Sequence, residues 1–263
     1  MSMNIGGVVI KVDTSGFDAL NLRLSGLARK VEVAKVAALN DAGRAGYQAT
    51  TDEIKRVFDR PTPWIQRSVR YTKATAARPV TRIDFDAWGN KTNVTAGQVL
   101  NAEIYGGNRR MKRHEVALQR VGVLPAGMAI VPGPAAKLDQ YGNMSGAQIV
   151  QIISWFQGFE QYAGARQNMT DKRKRALAKD KKNGARGFSY FVLWRPHGKL
   201  RPGIYQRFEF SHGSAVKPVM FFVQTPKYGV RLDFYKIAER AALAEFKSSF
   251  DRYCRQFLSE RII

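Results

Sequence analysis

Leu20, Leu24, Leu27, Val31, Ala34 and Ala38 follow one another in alternating four- and three-residue steps, which places them on one face of a helix. Arg23, Arg29, Lys30 and Lys35 fall on the other faces. The pattern continues through Ala42, Ala45, Ala49, Ile54 and Phe58, with Gly43 and Gly46 marking a close contact or a kink, until Pro61 and Pro63 end it. A short β-branched stretch, Gly6 to Val12, predicts a strand and turn before this helix. After the proline corner, Val80 to Asp86 and Val99 to Tyr105 alternate at period two and predict strands of a half-exposed sheet.

The pattern changes beyond Tyr105. Arg109, Arg110, Lys112, Arg113 and Arg120 crowd a short stretch opposed by Glu115, and the Pro- and Gly-rich segment Leu124 to Pro134 reads as an extended loop outside any regular sheet. Ser145 to Gln148 fits a capping box, with Ile149, Ile152, Ile153 and Phe156 forming the packing face of the helix behind it. A basic run from Arg166 to Arg186 follows, with nine Lys/Arg and two Asp, expected to be mobile until a partner neutralises it. Strand signals return at 190–194, 203–210 and 218–223, at spacings that suit an antiparallel meander. From about Tyr235 a last helix carries Leu243, Phe246, Phe250, Tyr253 and Phe257 on one stripe, a candidate packing face or subunit interface.

These elements predict an α+β fold, a mostly antiparallel sheet packed by long N- and C-terminal helices. The expected division is a core of residues 1–106 and 187–263, interrupted by a basic, partly helical insertion of residues 107–186 with one helix at about 145–160.

Composition narrows the partners. The chain has 263 residues, 43 Lys and Arg against 21 Asp and Glu, and a formal charge of +22. Such an excess attracts polyanions or acidic protein surfaces. The candidate contacts are Arg109, Arg110, Lys112, Arg113, Lys172, Arg173, Lys174, Arg175, Lys179, Lys181, Lys182 and Arg186. A single cysteine, Cys254, excludes an intrachain disulfide and a four-cysteine zinc site, and its place in the last helix suits a small packing residue. Met1 to Val12 lacks the basic and apolar regions of a signal peptide, and no window approaches a membrane span, so synthesis in the cytoplasm without membrane insertion is expected.

Candidate chemistry is sparse. Asp84 and Asp86 near Lys91 suggest a nuclease carboxylate pair, but the spacing does not match the usual acid-x-Lys arrangement and alternating charges are expected of an exposed strand face. His114, His197 and His212 have no second ligand at metal spacing, and Gly106 and Gly107 lack the Lys-Ser/Thr pair of a phosphate loop. No catalytic residue, cofactor or metal is expected.

In order and coverage the chain resembles the phage minor tail protein Z family. The resemblance is carried by the alanine-rich helix around Val33 to Ala49, the corner Pro61-Thr62-Pro63-Trp64, the segment Tyr71 to Ala77, and Gly122 to Gly127. It extends through Asp139 to Ile152, Gly203 to Arg207 and Phe221 to Asp233. It implies a non-enzymatic tail-completion or head-tail joining protein of the virion's tail or neck, assembled as a multi-copy ring with other tail or neck proteins. The alternative left by the charge is a DNA-binding protein without sequence preference.

Overall fold

The computed structural model describes residues 2–5, 8–11, 15–86, 94–157, 169–180 and 186–259, with residues 2–21 and 258 in backbone only. In chain order the elements begin with β1 (Ser2–Ile5), β2 (Val8–Lys11), α1 (Ser15–Val57), α2 (Pro63–Gln66), β3 (Val69–Thr72) and β4 (Arg82–Phe85). Next come α3 (Ala96–Tyr105), β5 (Gly107–Asn108), α4 (Arg113–Arg120), β6 (Met128–Pro132), α5 (Gly146–Trp155) and α6 (Asp171–Ala178). Last are β7 (Ser189–Leu193), β8 (Gly203–Phe210), β9 (Gly213–Gln224), β10 (Lys227–Tyr228) and α7 (Phe234–Ser259). The chain is α+β, its sheets are antiparallel, and its long N- and C-terminal helices pack together.

The division into compact units differs from the expected one. Residues 1–58, 63–96 and 232–263 form one unit, and residues 59–62 and 97–231 form the other. The stretch 107–186 is therefore no insertion standing apart from the sheet. Its strand β6 pairs antiparallel with β9, giving a four-stranded sheet of order β6-β9-β8-β7. The terminal helices likewise pack on each other and on the small β3–β4 sheet of their own unit.

In the first unit, α1 and α7 run antiparallel along a seam of small side chains. Ala34, Ala38 and Ala42 of α1 and Ala238 and Ser249 of α7 are all buried. A Cβ on Gly46 would overlap Ile83 and lie 3.0 Å from the Ala238 carbonyl oxygen, so glycine here lets the backbones approach. The buried carboxylate of Asp41 accepts from Ser249 Oγ (3.1 Å), Arg252 Nη2 (2.9 Å) and Tyr253 Oη (2.9 Å), locking the register of the two helices. Asn40 clamps the loop after β3 through Ala74, donating to its carbonyl at 3.2 Å and accepting its amide at 2.8 Å. Phe234 stacks on Phe85 at 4.5 Å and closes the core beneath the hairpin.

The predicted apolar face of α1 divides in two. Ala34 and Ala38 are buried, whereas Leu24 and Val31 are 53% and 38% exposed. Asp41 meets Ser249, Arg252 and Tyr253, so the part of α1 that precedes Ala34 lies beyond the described residues of α7.

In the second unit the helices α4 and α5 cover one face of the four-stranded sheet. Leu118, Leu124, Ile130, Ile152, Tyr190, Ile204, Met220 and Phe222 make up its core. The meander β7-β8-β9 follows the predicted strands, with a register shift at Ile204/Tyr205. Residues 99–105 are helical rather than extended, because Ala96, Leu100 and Ile104 share one buried helical face. The Leu124 to Pro134 stretch contributes an edge strand, Ala129 and Ile130 facing inward. Residues 113–120 form a helix, and α6 orders residues 171–178 of the basic run. The rest of that run, residues 166–168 and 181–185, lies outside the described residues. Helix α5 begins where predicted, but Ser145 makes no side-chain cap; Gln148 Oε1 instead accepts the amide of Lys137 at 2.7 Å.

Gly46→Leu should force α7 away from α1 and lower stability by about 2–3 kcal/mol, the range for overpacking a close seam. Chemical denaturation followed by circular dichroism measures it, and an unchanged midpoint contradicts the close-packed seam.

Candidate functional site

The described basic residues among the predicted contacts fall on three segments, residues 109–113 leading into α4, helix α6 with Lys179, and Arg186 before β7. Arg109 turns inward, its side chain 16% exposed, against the fully buried carboxylate of Glu115. Its Nη1 donates to Oε2 at 2.8 Å and its Nη2 to Oε1 at 2.5 Å. The backbone amides of Lys112 (2.6 Å) and Ile130 (2.8 Å) complete the shell around the carboxylate. Burial pushes the Glu115 carboxyl up, but the Arg109 guanidinium and the two amides outweigh it and hold it below the ordinary carboxylate range. Arg109 is therefore a structural ion-pair partner and not a polyanion contact.

Around this pair, Lys112 caps α4 and Arg113 is exposed on its first turn, while Arg110 is exposed and donates to Gln98 Oε1 at 3.3 Å. Desolvation of the Lys112 ammonium among its neighbours and the nearby Arg109 charge lower its pKa. His114 is half-buried in the same cluster, pushed down to about 4 by burial and then by Lys112, so its ring is neutral near pH 7.

The α6 cations form a second group. Lys172, Arg173 and Arg175 are exposed, Thr170 Oγ1 accepts the Arg173 amide at 3.3 Å, and Lys174 lies over the Trp155 ring at 5.5 Å. Lys179, exposed, ends the helix. A cleft of about 270 Å³ between α5 and α6 is lined by Arg173, Gln151, Met169 and Leu177 among others. Lys181 and Lys182 lie outside the described residues.

The third group was not legible as a cluster in the sequence. Where β8 and β9 run beyond the cover of α5, the sheet face that carries the core opens into a groove of two adjoining lobes, about 440 and 350 Å³, which share Gln206 and Phe208. Lys137, Arg186 and Phe188 line the larger lobe, and Lys217, Pro134 and Pro218 the smaller. Lys217 Nζ sits 5.2 Å from the Phe208 ring centre and Arg186 lies 4.5 Å from that of Phe210. Beneath the groove, Tyr190 Oη donates to Gln151 Oε1 at 3.0 Å and accepts from Gln206 Nε2 at 3.3 Å. Only Arg186 of these cations was among the predicted contacts. The available signal was the alternation of Ile204, Gln206, Phe208 and Phe210, which sets a polar residue among apolar ones on a single strand face.

The C-terminal stripe is the flank of α7 rather than its buried seam. Phe246 stacks on Phe250 and Tyr253 on Phe257, each at 5.7 Å, all four half-buried, while Leu243 is 62% exposed. Tyr253 is engaged within the chain through Asp41.

The acidic pair near β4 has a structural setting: Asp84 stands opposite Arg70 in the β3–β4 register, and Asp86 accepts from Arg70 Nε at 3.3 Å. Lys91 lies outside the described residues. Gly106 and Gly107 have φ of 76° and 92°, a turn conformation suited to glycine, leading into the β5–β10 pair. Among the described residues no three His, Cys, Asp or Glu side chains converge as metal ligands, and no helix is long and apolar enough to cross a membrane. No family model, curated protein or solved structure matches the chain.

Two outcomes follow for this unit. Glu115→Ala leaves the Arg109 guanidinium without its counter-charge and should destabilise by about 3–5 kcal/mol, while Glu115→Leu combined with Arg109→Met should recover most of that loss in the same denaturation assay. His114 has a folded pKa of about 4, below its ordinary value of about 6.5, so the unfolded chain binds the proton first and stability falls as pH drops from about 6.5 to about 4. His114→Asn should flatten that slope, recovering about 1–3 kcal/mol at the acid end in urea titrations across the window.

Proposed function

We propose that the chain is a non-enzymatic assembly protein of a phage tail or neck, active in tail completion or head-tail joining, which packs copies of itself into a ring beside other virion proteins. The observation that carries this reading is the N-terminal stretch of α1. Leu24 and Val31 continue the face that Ala34 and Ala38 bury, yet they are 53% and 38% exposed, and Leu22 and Val33 on other faces of the helix are 74% and 50% exposed. An apolar helix face that the described residues leave uncovered is suited to bury against another subunit. The half-buried aromatic flank of α7, with Leu243 beside it, offers further apolar area on the same unit. A repeated heterologous contact of this kind gives a ring where its rotation closes. The resemblance to the minor tail protein Z family supports the setting.

A second reading is sequence-independent binding of DNA. It is favoured by the exposed cations of α6 and the charge of +22. Phosphate contacts would make that binding fall steeply with salt.

Leu24→Asp with Val31→Asp tests the first reading, since both side chains are already exposed and the fold should survive. Wild-type chain is expected to form oligomers by analytical ultracentrifugation and to be incorporated into tailed particles. The double variant is expected to remain monomeric and be left out of particles, with an unchanged circular dichroism spectrum. Wild-type chain that is absent from purified particles, or variant chain that enters them as well as wild type, overturns the reading.

A further inference from the structure

We infer that the groove beside β8 and β9 is a docking site for an acidic peptide segment of a neighbouring protein, one carrying a single apolar anchor among its carboxylates. This rests on the assembly reading above and specifies the chemistry of one partner.

Charge complementarity sets the first requirement. Lys137, Arg186 and Lys217 reach the groove from three different elements: the loop before α5, the approach to β7, and β9. None of the described residues lining it is acidic. The sheet's nearest carboxylate in sequence, Glu209, alternates with Phe208 and Phe210 and so falls on the opposite face. Three cations without a counter-charge on one concave surface favour a ligand bearing several negative groups.

The floor sets the second requirement. The smaller lobe joins Phe208 to Pro134, Ala135 and Pro218, an apolar recess rimmed by Lys217. It suits one Phe- or Leu-sized side chain. The larger lobe presents the side-chain amides of Gln151 and Gln206, whose Nε2 and Oε1 respectively are not used in their bonds to Tyr190, beside Lys137 and Arg186. Side-chain amides both donate and accept, as an extended peptide backbone requires.

The same geometry disfavours nucleic acid. Base stacking needs an open aromatic face, but Phe208 is flanked by Lys217 Nζ at 5.2 Å and by the tilted Phe188 ring at 6.0 Å. Phe188 in turn packs edge-on against Tyr190 at 5.2 Å. A base would have to displace Lys217, one of the cations that draws the strand in. An apolar side chain can instead pack against Phe208 and the prolines from the side, without needing an open ring face.

The test uses the full-length chain and a short fluorescein-labelled peptide of glutamate and serine with one central phenylalanine, read by anisotropy at low salt. A peptide with serine in place of the phenylalanine and an oligothymidylate of matching charge serve as competitors. The phenylalanine peptide is expected to bind and to outcompete both. Arg186→Glu with Lys217→Glu, both exposed in the folded chain, should weaken it by about tenfold or more. Phe208→Ala should reduce the advantage of the phenylalanine peptide over the serine one while leaving binding of the latter unchanged. No binding, unchanged affinity in the charge-reversal variant, or tighter competition by oligothymidylate each overturns the assignment. Uptake of the same charge-reversal chain into particles is scored separately. Particles that contain the wild-type chain although the peptide does not bind reject the groove and leave the assembly reading standing, whereas peptide binding by a chain absent from particles does the reverse.

Discussion

The buried carboxylate of Glu115 is the constraint on which the site-bearing unit depends. A charge with no exposed surface is tolerated only when its acceptor positions are filled, and here two guanidinium N–H groups and two backbone amides fill them. Arg109 and Lys112 lie just before α4 and Ile130 lies in β6, so one side chain ties the 109–112 segment and the start of α4 to that strand. From β6 the constraint passes along β9: Gly133 and Ala135 donate to the carbonyls of Val219 (2.8 Å) and Pro218 (2.9 Å), which sets the wall of the groove. Gln148 then ties that wall to α5 through the amide of Lys137. The groove owes its shape to a charge buried at the far end of this chain of bonds.

What the sequence revealed follows from how strongly each signal exceeds its alternatives. The strands β7, β8 and β9 were legible because aromatic and β-branched runs are bounded by turn residues. Helix α7 was legible because large side chains recur at three and four residues. Residues 99–105 misled because Leu100, Ala102 and Ile104 satisfy period two, while Ala96, Leu100 and Ile104 also satisfy a helical step of four; a spacing of four residues is common to both patterns. The strand β6 was hidden by flanking proline and glycine residues, which mark the ends of an edge strand as readily as a loop. The basic cluster misled in a more instructive way. Arg109 looked like one more surface cation, and the clue to its role was the lone acid among its neighbours, Glu115, three residues into a helix where a carboxylate can reach back to the capping amide. Lys137 and Lys217 lie far apart in sequence with no local pattern linking them, so only the sheet's pairing brings them to one groove.

The helix seam of the other unit illustrates how composition encodes geometry without encoding chemistry. Alanine, glycine and serine at the contact allow α1 and α7 to approach closely, and the single buried acid there, Asp41, is matched by hydroxyl and guanidinium donors from α7. Such a seam is rigid and specific. Beyond the described end of that seam, Leu24 and Val31 of α1 are exposed.

The two candidate surfaces obey different physics, and that difference bears on how a chain of this charge avoids indiscriminate association. Burial of the α1 overhang is driven by apolar area and is nearly indifferent to salt. Attraction at the groove is electrostatic at its rim and is screened within about 8 Å at physiological ionic strength. A net charge of +22 keeps free copies apart by self-repulsion, so the apolar faces alone meet an opposing field until some of that charge is neutralised. An acidic segment bound in the groove removes part of the repulsion at the moment a partner is present. Association between copies in the proposed ring would then be strengthened, at low salt above all, when such a segment is bound.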